Sequence, residues 1–141
     1  MHQAPRVEES VPPAVAQPSP GQPLQDRIGR RKQRLAGGRV AGLGTAVASS
    51  SPRSWVEPHL ERFDLLRHFD VVRTRDDVAL AKPAPDLFLA ACHALGVDPA
   101  DAVALEDAAH GATAARAAGL RCVVVPNRLT VLSDLSHADL R

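Results

Sequence analysis

Residues 102–126 read AVALEDAAHGATAARAAGLRCVVVP, and this stretch decides the fold. Ala102–Leu105 is an apolar run of strand length, broken at once by Glu106 and Asp107. Ala108–Ala118 is rich in alanine, the strongest helix former, and Gly119 supplies a C-terminal stop. Arg121–Val125 is apolar after its arginine, as a strand covered on both faces would be, and Pro126 ends it. Two strands flanking a helix of about a dozen residues make a β-α-β unit, with parallel strands and a right-handed crossover.

The same alternation extends toward the N-terminus. Asp86–Leu95 (DLFLAACHAL) spaces its apolar residues helically and meets Gly96 as a stop. Phe69–Arg73 (FDVVR) reads as a strand, and so does the short apolar run Thr45–Ala48. Ser51 before Pro52 predicts a helix start, with Ser51 as cap and Pro52 in the first helical position. That helix is expected to run to Leu66, with Pro58 kinking or restarting it. The fold class is therefore α/β, a Rossmann-like parallel sheet over residues 41–141.

Composition bounds the rest. The 141 residues are 45% hydrophobic and 23% charged, as in a soluble globular chain, with net charge +1. No apolar run approaches the roughly 18 residues of a membrane span. Two cysteines make no disulfide framework. Residues 1–40 form a separate segment carrying seven basic and three acidic side chains. Met1–Pro23 holds six of the 12 prolines, lacks any period, and is expected to be disordered. It has no basic start and no apolar core of a secretion signal, so the cytoplasm is the expected location. Arg27–Arg39 (RIGRRKQRLAGGR) is basic but has no interleaved aromatic, so it reads as a solvated linker and nucleic-acid binding is not expected.

In a parallel sheet the C-terminal ends of the strands share one rim, where ligands bind. Ser49 and Ser50 follow the first strand, Lys82 lies in the connection after the second, and Glu106 and Asp107 follow the third. A hydroxyl, an ammonium and two carboxylates suit phosphate held with Mg²⁺, which takes oxygen ligands and usually one or two carboxylates. Each has a plainer reading alone: a serine turn, a loop lysine, a helix-capping acid pair. Lys82 stands out because the chain has 15 arginines and only two lysines. Cys92 and Cys122 read as buried core thiols, Trp55 as packing the helix after the serine turn, Asp86 as a helix cap, and His110 as a helix-surface residue near Asp107.

Taken together, Thr45–Pro52 (TAVASSSP), Lys82–Phe88 (KPAPDLF) and Leu105–Gly111 (LEDAAHG) resemble motifs II, III and IV of the haloacid dehalogenase (HAD) superfamily, in the β-phosphoglucomutase-like phosphatase branch. The resemblance covers about residues 43–140. The motif order also separates the chain from response-regulator receiver domains, where the acidic pair comes first and the lysine last. The resemblance implies a Mg²⁺-dependent phosphomonoester phosphatase or phosphomutase relative acting on a small phosphorylated metabolite. Ser49 and the Ser50 amide would bind the phosphoryl group, Lys82 would neutralise it and hold the nucleophile, and Asp107 would bind Mg²⁺ with Glu106 beside it.

The family's nucleophile lies in a D-x-D on a strand at mid-sheet, before a cap domain, and no two aspartates of this sequence are separated by one residue. The expectation is an incomplete HAD core without nucleophile or cap, inactive alone. The strands at Thr45 and Ala102 should face a gap that invites a partner strand or self-association. The alternative is a non-catalytic pseudoenzyme that keeps the phosphate and Mg²⁺ rim and uses its basic segment for a partner.

Overall fold

A computed structural model describes residues 42–130 together with 133, 134, 138 and 139. The expected disorder of Met1–Pro23 and the basic run Arg27–Arg39 lie outside the described residues. Within them, strands and helices alternate as β1 (Ala46–Ala48), α1 (Arg53–Arg62), β2 (Val71–Arg73), α2 (Asp86–Leu95), β3 (Val103–Glu106), α3 (Ala109–Ala117) and β4 (Arg121–Val124). Short 3-10 turns at Leu66–His68, Arg75–Asp77 and Pro99–Asp101 link them. All pairings are parallel, as βαβ connectivity requires.

The strands form two sheets of two. β1 pairs with β2, placing Ala46 opposite Val71 and Ala48 opposite Arg73. β3 pairs with β4, from Val103 opposite Arg121 to Glu106 opposite Val124. Each strand thus keeps one edge with no strand partner among the described residues. The strands at Thr45 and Ala102 fall in different sheets and do not pair with each other. Helix α2 packs against β1 and β2 and also against α3, so it holds the two sheets in one body.

The core around β3 and β4 is built from small side chains. Ala112, Ala114 and Ala115 of α3 are fully buried against Ala104, Cys122 and Val124, and α2 adds Phe88 and Cys92. Alanines let the helix approach the sheet closely, which compensates for a sequence poor in aromatics. Gly96 and Gly119, at φ 69° and 84°, end α2 and α3 as expected.

Three expectations need correcting. Ser51 does not cap α1: Pro52 occupies the cap position with no side-chain bond, and the Arg53 N–H donates to Asp76 Oδ2 at 2.8 Å. The cap comes from 23 residues away. Helix α1 passes through Pro58 and stops at Arg62 instead of Leu66, because Asp64 turns left-handed at φ 53°. And β4 is not covered on both faces. Cys122 and Val124 are buried, but on the other face Arg121 is exposed and Val123 only half-buried, and their β3 neighbours Val103 and Leu105 are 51% and 75% exposed.

Beyond β2, buried Thr74 donates both its backbone N–H (2.7 Å) and its hydroxyl (2.9 Å) to Asp77 Oδ2. Arg53 adds an ion pair at 2.6 Å. The Thr74 amide above all, then Arg53, lowers the Asp77 carboxyl to about 2 against opposing desolvation. A depressed carboxyl stabilises the fold above its unfolded pKa and stops doing so as pH falls through its folded value. Asp77→Asn is therefore expected to cost about 1 kcal/mol at pH 7, discounted because the carboxylate is a quarter exposed. Urea titrations should show that deficit shrinking below about pH 4 and vanishing near pH 2. A deficit unchanged at pH 2 would mean that the charge plays no part.

Candidate functional site

The serine turn begins where β1 ends. The Ser49 N–H donates to Arg73 O at 2.9 Å, prolonging the parallel ladder one step past Ala48. Its hydroxyl accepts the Ser51 N–H at 3.2 Å, which curls the turn. The Ser50 hydroxyl accepts the Lys82 N–H at 3.3 Å, tying this turn to the KPAPD connection. The Lys82–Pro83 peptide is cis.

From that connection the Lys82 ammonium reaches across to Glu106, at the end of β3, and forms an ion pair. Both side chains are almost fully withdrawn from solvent, at 12% and 11% exposure. The ammonium also lies 4.6 Å from the centroid of the Phe88 ring. Gly111, in α3, makes the pair sterically feasible, since a Cβ there would overlap the Glu106 carboxylate.

Asp107 is exposed and differently held. Its Oδ2 accepts the Asn127 amide at 2.9 Å. The Asn127 Oδ1 in turn accepts from Leu129 N at 2.8 Å and Thr130 N at 3.2 Å, so the amide is oriented by the loop after β4.

Ser49, Ser50, Lys82, Glu106 and Asp107 line one open cleft of about 490 Å³ at the C-terminal ends of β1 and β3, with His110 on its wall. All five residues singled out in the sequence (Ser49, Ser50, Lys82, Glu106 and Asp107) are thus brought together. The charges favour one chemistry. Lys82 and Glu106 cancel, leaving Asp107 as a net negative charge that would repel a phosphate dianion. A divalent cation on Asp107 reverses that balance. The donors are oxygens, and among the described residues no group of three or more His, Cys, Asp and Glu could hold a metal. A single exposed carboxylate with substrate and water oxygens suits Mg²⁺, whereas Zn²⁺ takes three or four His, Cys or carboxylate ligands from the protein. Glu106 is committed to Lys82, so Asp107 is the better-placed ligand.

Other expectations fare variously. Cys92 and Cys122 are buried and free, and desolvation raises both thiols, which keeps them unreactive. Trp55 does not pack inward. It is 56% exposed and stacks on His59 with centroids 3.9 Å apart. Asp86 does not cap α2, where Pro85 holds the cap position; its carboxylate accepts the Leu80 N–H at 3.3 Å instead. Gly111, Asn127 and Phe88 were not singled out in the sequence. Gly111 and Phe88 lie inside the recognised motifs, but their contacts are tertiary and leave no local signal.

A family model described as haloacid dehalogenase-like hydrolase matches residues 33–119. The Bacillus subtilis protein YhcW is 47% identical over 99 residues, 68% of this chain and 45% of that protein. Hexitol phosphatase B of Escherichia coli K12 is 34% identical over 120 residues, 85% of this chain and 53% of its own. The crystal structure of CbbY from Rhodobacter sphaeroides in complex with phosphate superposes with a TM-score of 0.71 at 38% identity, covering 75% of this chain and 48% of that one. The chain thus spans about half the length of the curated relatives it matches. Among the described residues no helix is long and apolar enough to cross a membrane.

Proposed function

Because the chain belongs to the haloacid dehalogenase-like hydrolase family, we propose that it forms the phosphate-holding and Mg²⁺-holding part of a phosphomonoester phosphatase or phosphomutase-like core. Its substrate is a small phosphorylated metabolite in the cytoplasm. One observation carries this reading: the cleft joins Ser49, Ser50, Lys82, Glu106 and Asp107 at the strand ends.

The Ser49 hydroxyl and the Ser50 amide donate to phosphoryl oxygens. Lys82 has three N–H donors, and its bond to Glu106 leaves others for the phosphoryl group. Glu106 fixes the ammonium and Asn127 fixes Asp107, so the polar groups stand ready before the substrate arrives. Asp107 would hold Mg²⁺, which when bound would neutralise phosphoryl charge.

The nucleophile is not among these residues, since no D-x-D occurs in the sequence. A further strand seated between β1 and β3 would bring a carboxylate at its C-terminal end to the same cleft. A partner segment supplies it in this reading, and the chain alone binds phosphate without turning it over. The second reading, a non-catalytic phosphate-binding protein, is favoured by the missing D-x-D alone.

Calorimetric titration with inorganic phosphate, with and without Mg²⁺, tests the core of the proposal. Binding that needs Mg²⁺, with no hydrolysis of p-nitrophenyl phosphate, is the expected result. A folded protein that takes up no phosphate would overturn the site. Turnover lost in Asp107→Ala would overturn the claim that the chain is inactive alone.

A further inference from the structure

The Lys82 ammonium has two neighbours that stabilise positive charge, and they differ in kind. Glu106 is an anion and takes up one of the ammonium's three N–H donors. The Phe88 ring, 4.6 Å from the ammonium, presents a negative π face and carries no net charge. It stabilises the cation without occupying it as an ion pair would.

We propose that Phe88 is a positioning residue for Lys82. Its ring holds the ammonium at the cleft while phosphate engages the donors that Glu106 leaves. This rests on the reading of the cleft as a phosphate site and adds a residue to it. A lysine is a strongly hydrated charge on a flexible stem, so a withdrawn ammonium needs a fixed neighbour to keep one position. Phe88 is fixed. It is 7% exposed, sits in the first turn of α2, and packs into the cluster with Cys92 and Ala104. The connection between the two residues is short and stiff, carrying Pro83 and Pro85, and Asp86 ties it back to Leu80. Ring and ammonium are therefore set by the same segment of backbone.

The test keeps the ring's shape and drains its face. Phe88 is replaced at its single codon by 4-fluoro-, 3,5-difluoro- and pentafluorophenylalanine, and inorganic phosphate is titrated calorimetrically with Mg²⁺ present. Affinity should fall stepwise with fluorination, to about tenfold below the unsubstituted protein. Phe88→Leu should fall as far. Affinity that is flat across the fluorinated series overturns the inference, and flat affinity with a loss in Phe88→Leu assigns the ring a packing role only. Absence of binding by the unsubstituted protein overturns the phosphate site itself, and with it this inference.

Discussion

Lys82→Met is expected to weaken Mg²⁺-supported binding of inorganic phosphate about a hundredfold, the largest loss of any single substitution in the cleft. Lys82 is the one lysine among the described residues, and no arginine lines the cleft. Methionine keeps the length and apolar body of the side chain, so the change isolates the charge. It also strands Glu106, a carboxylate only 11% exposed, without its cation. Removing one partner of a buried pair is costly because the other charge remains desolvated. The variant should therefore lose stability as well as affinity. Lys82→Met combined with Glu106→Gln separates the two effects, since the amide needs no counter-ion. Thermal unfolding of the double variant should recover toward wild type while phosphate binding stays lost. If Lys82→Met binds phosphate within threefold of the unsubstituted chain, Lys82 is a loop lysine and the site has been misread.

The contrast between what the sequence disclosed and what it hid is physical. Helix α2 occupies the span Asp86–Leu95 expected of it, because periodicity and a following glycine are local signals. The split between β1–β2 and β3–β4 was anticipated only through the resemblance to a family, since no short-range pattern states which strands are neighbours. Helix α1 was misjudged at both ends: the group that satisfies its first N–H is Asp76, and its end depends on one left-handed residue, Asp64. Arg121–Val125 reads as doubly covered because an apolar run has the same letters whether one face or two are buried. At the site, Lys82 was visible through its scarcity. Gly111 was not, because its reason is a carboxylate arriving from the end of β3. Polar groups that react with phosphate betray themselves by type and order. Residues that hold those groups in place do so through contacts that only the fold creates.

The second large effect lies in α2, which joins the two sheets. Leu87→Ala is expected to destabilise the chain by about 3 kcal/mol, within the usual cost of truncating a buried leucine. Leu87 is fully buried and lies outside the cluster formed by Phe88, Cys92 and the β3–β4 side. Successive helical residues point about 100° apart, so Phe88 anchors α2 to the second sheet while Leu87 faces another direction, and α2 packs on β1 and β2 as well. A domain of this size has about 5–15 kcal/mol in total, so the loss is a large fraction. Leu89→Ala is the internal control. It sits two residues along the same helix and is 42% exposed, so helix propensity cancels between the two variants and burial alone distinguishes them. Leu89→Ala should stay within about 1 kcal/mol of wild type. Urea unfolding followed by circular dichroism measures both. Because α2 serves both sheets, Leu87→Ala should shift one cooperative transition. A split into two transitions would show that β1–β2, with Ser49 at its end, melts apart from β3–β4. The cleft would then be assembled from two independent halves, and phosphate binding would fail before the alanine-rich core did. Equal losses at Leu87 and Leu89 would remove the assignment of α2 as the joint between the sheets.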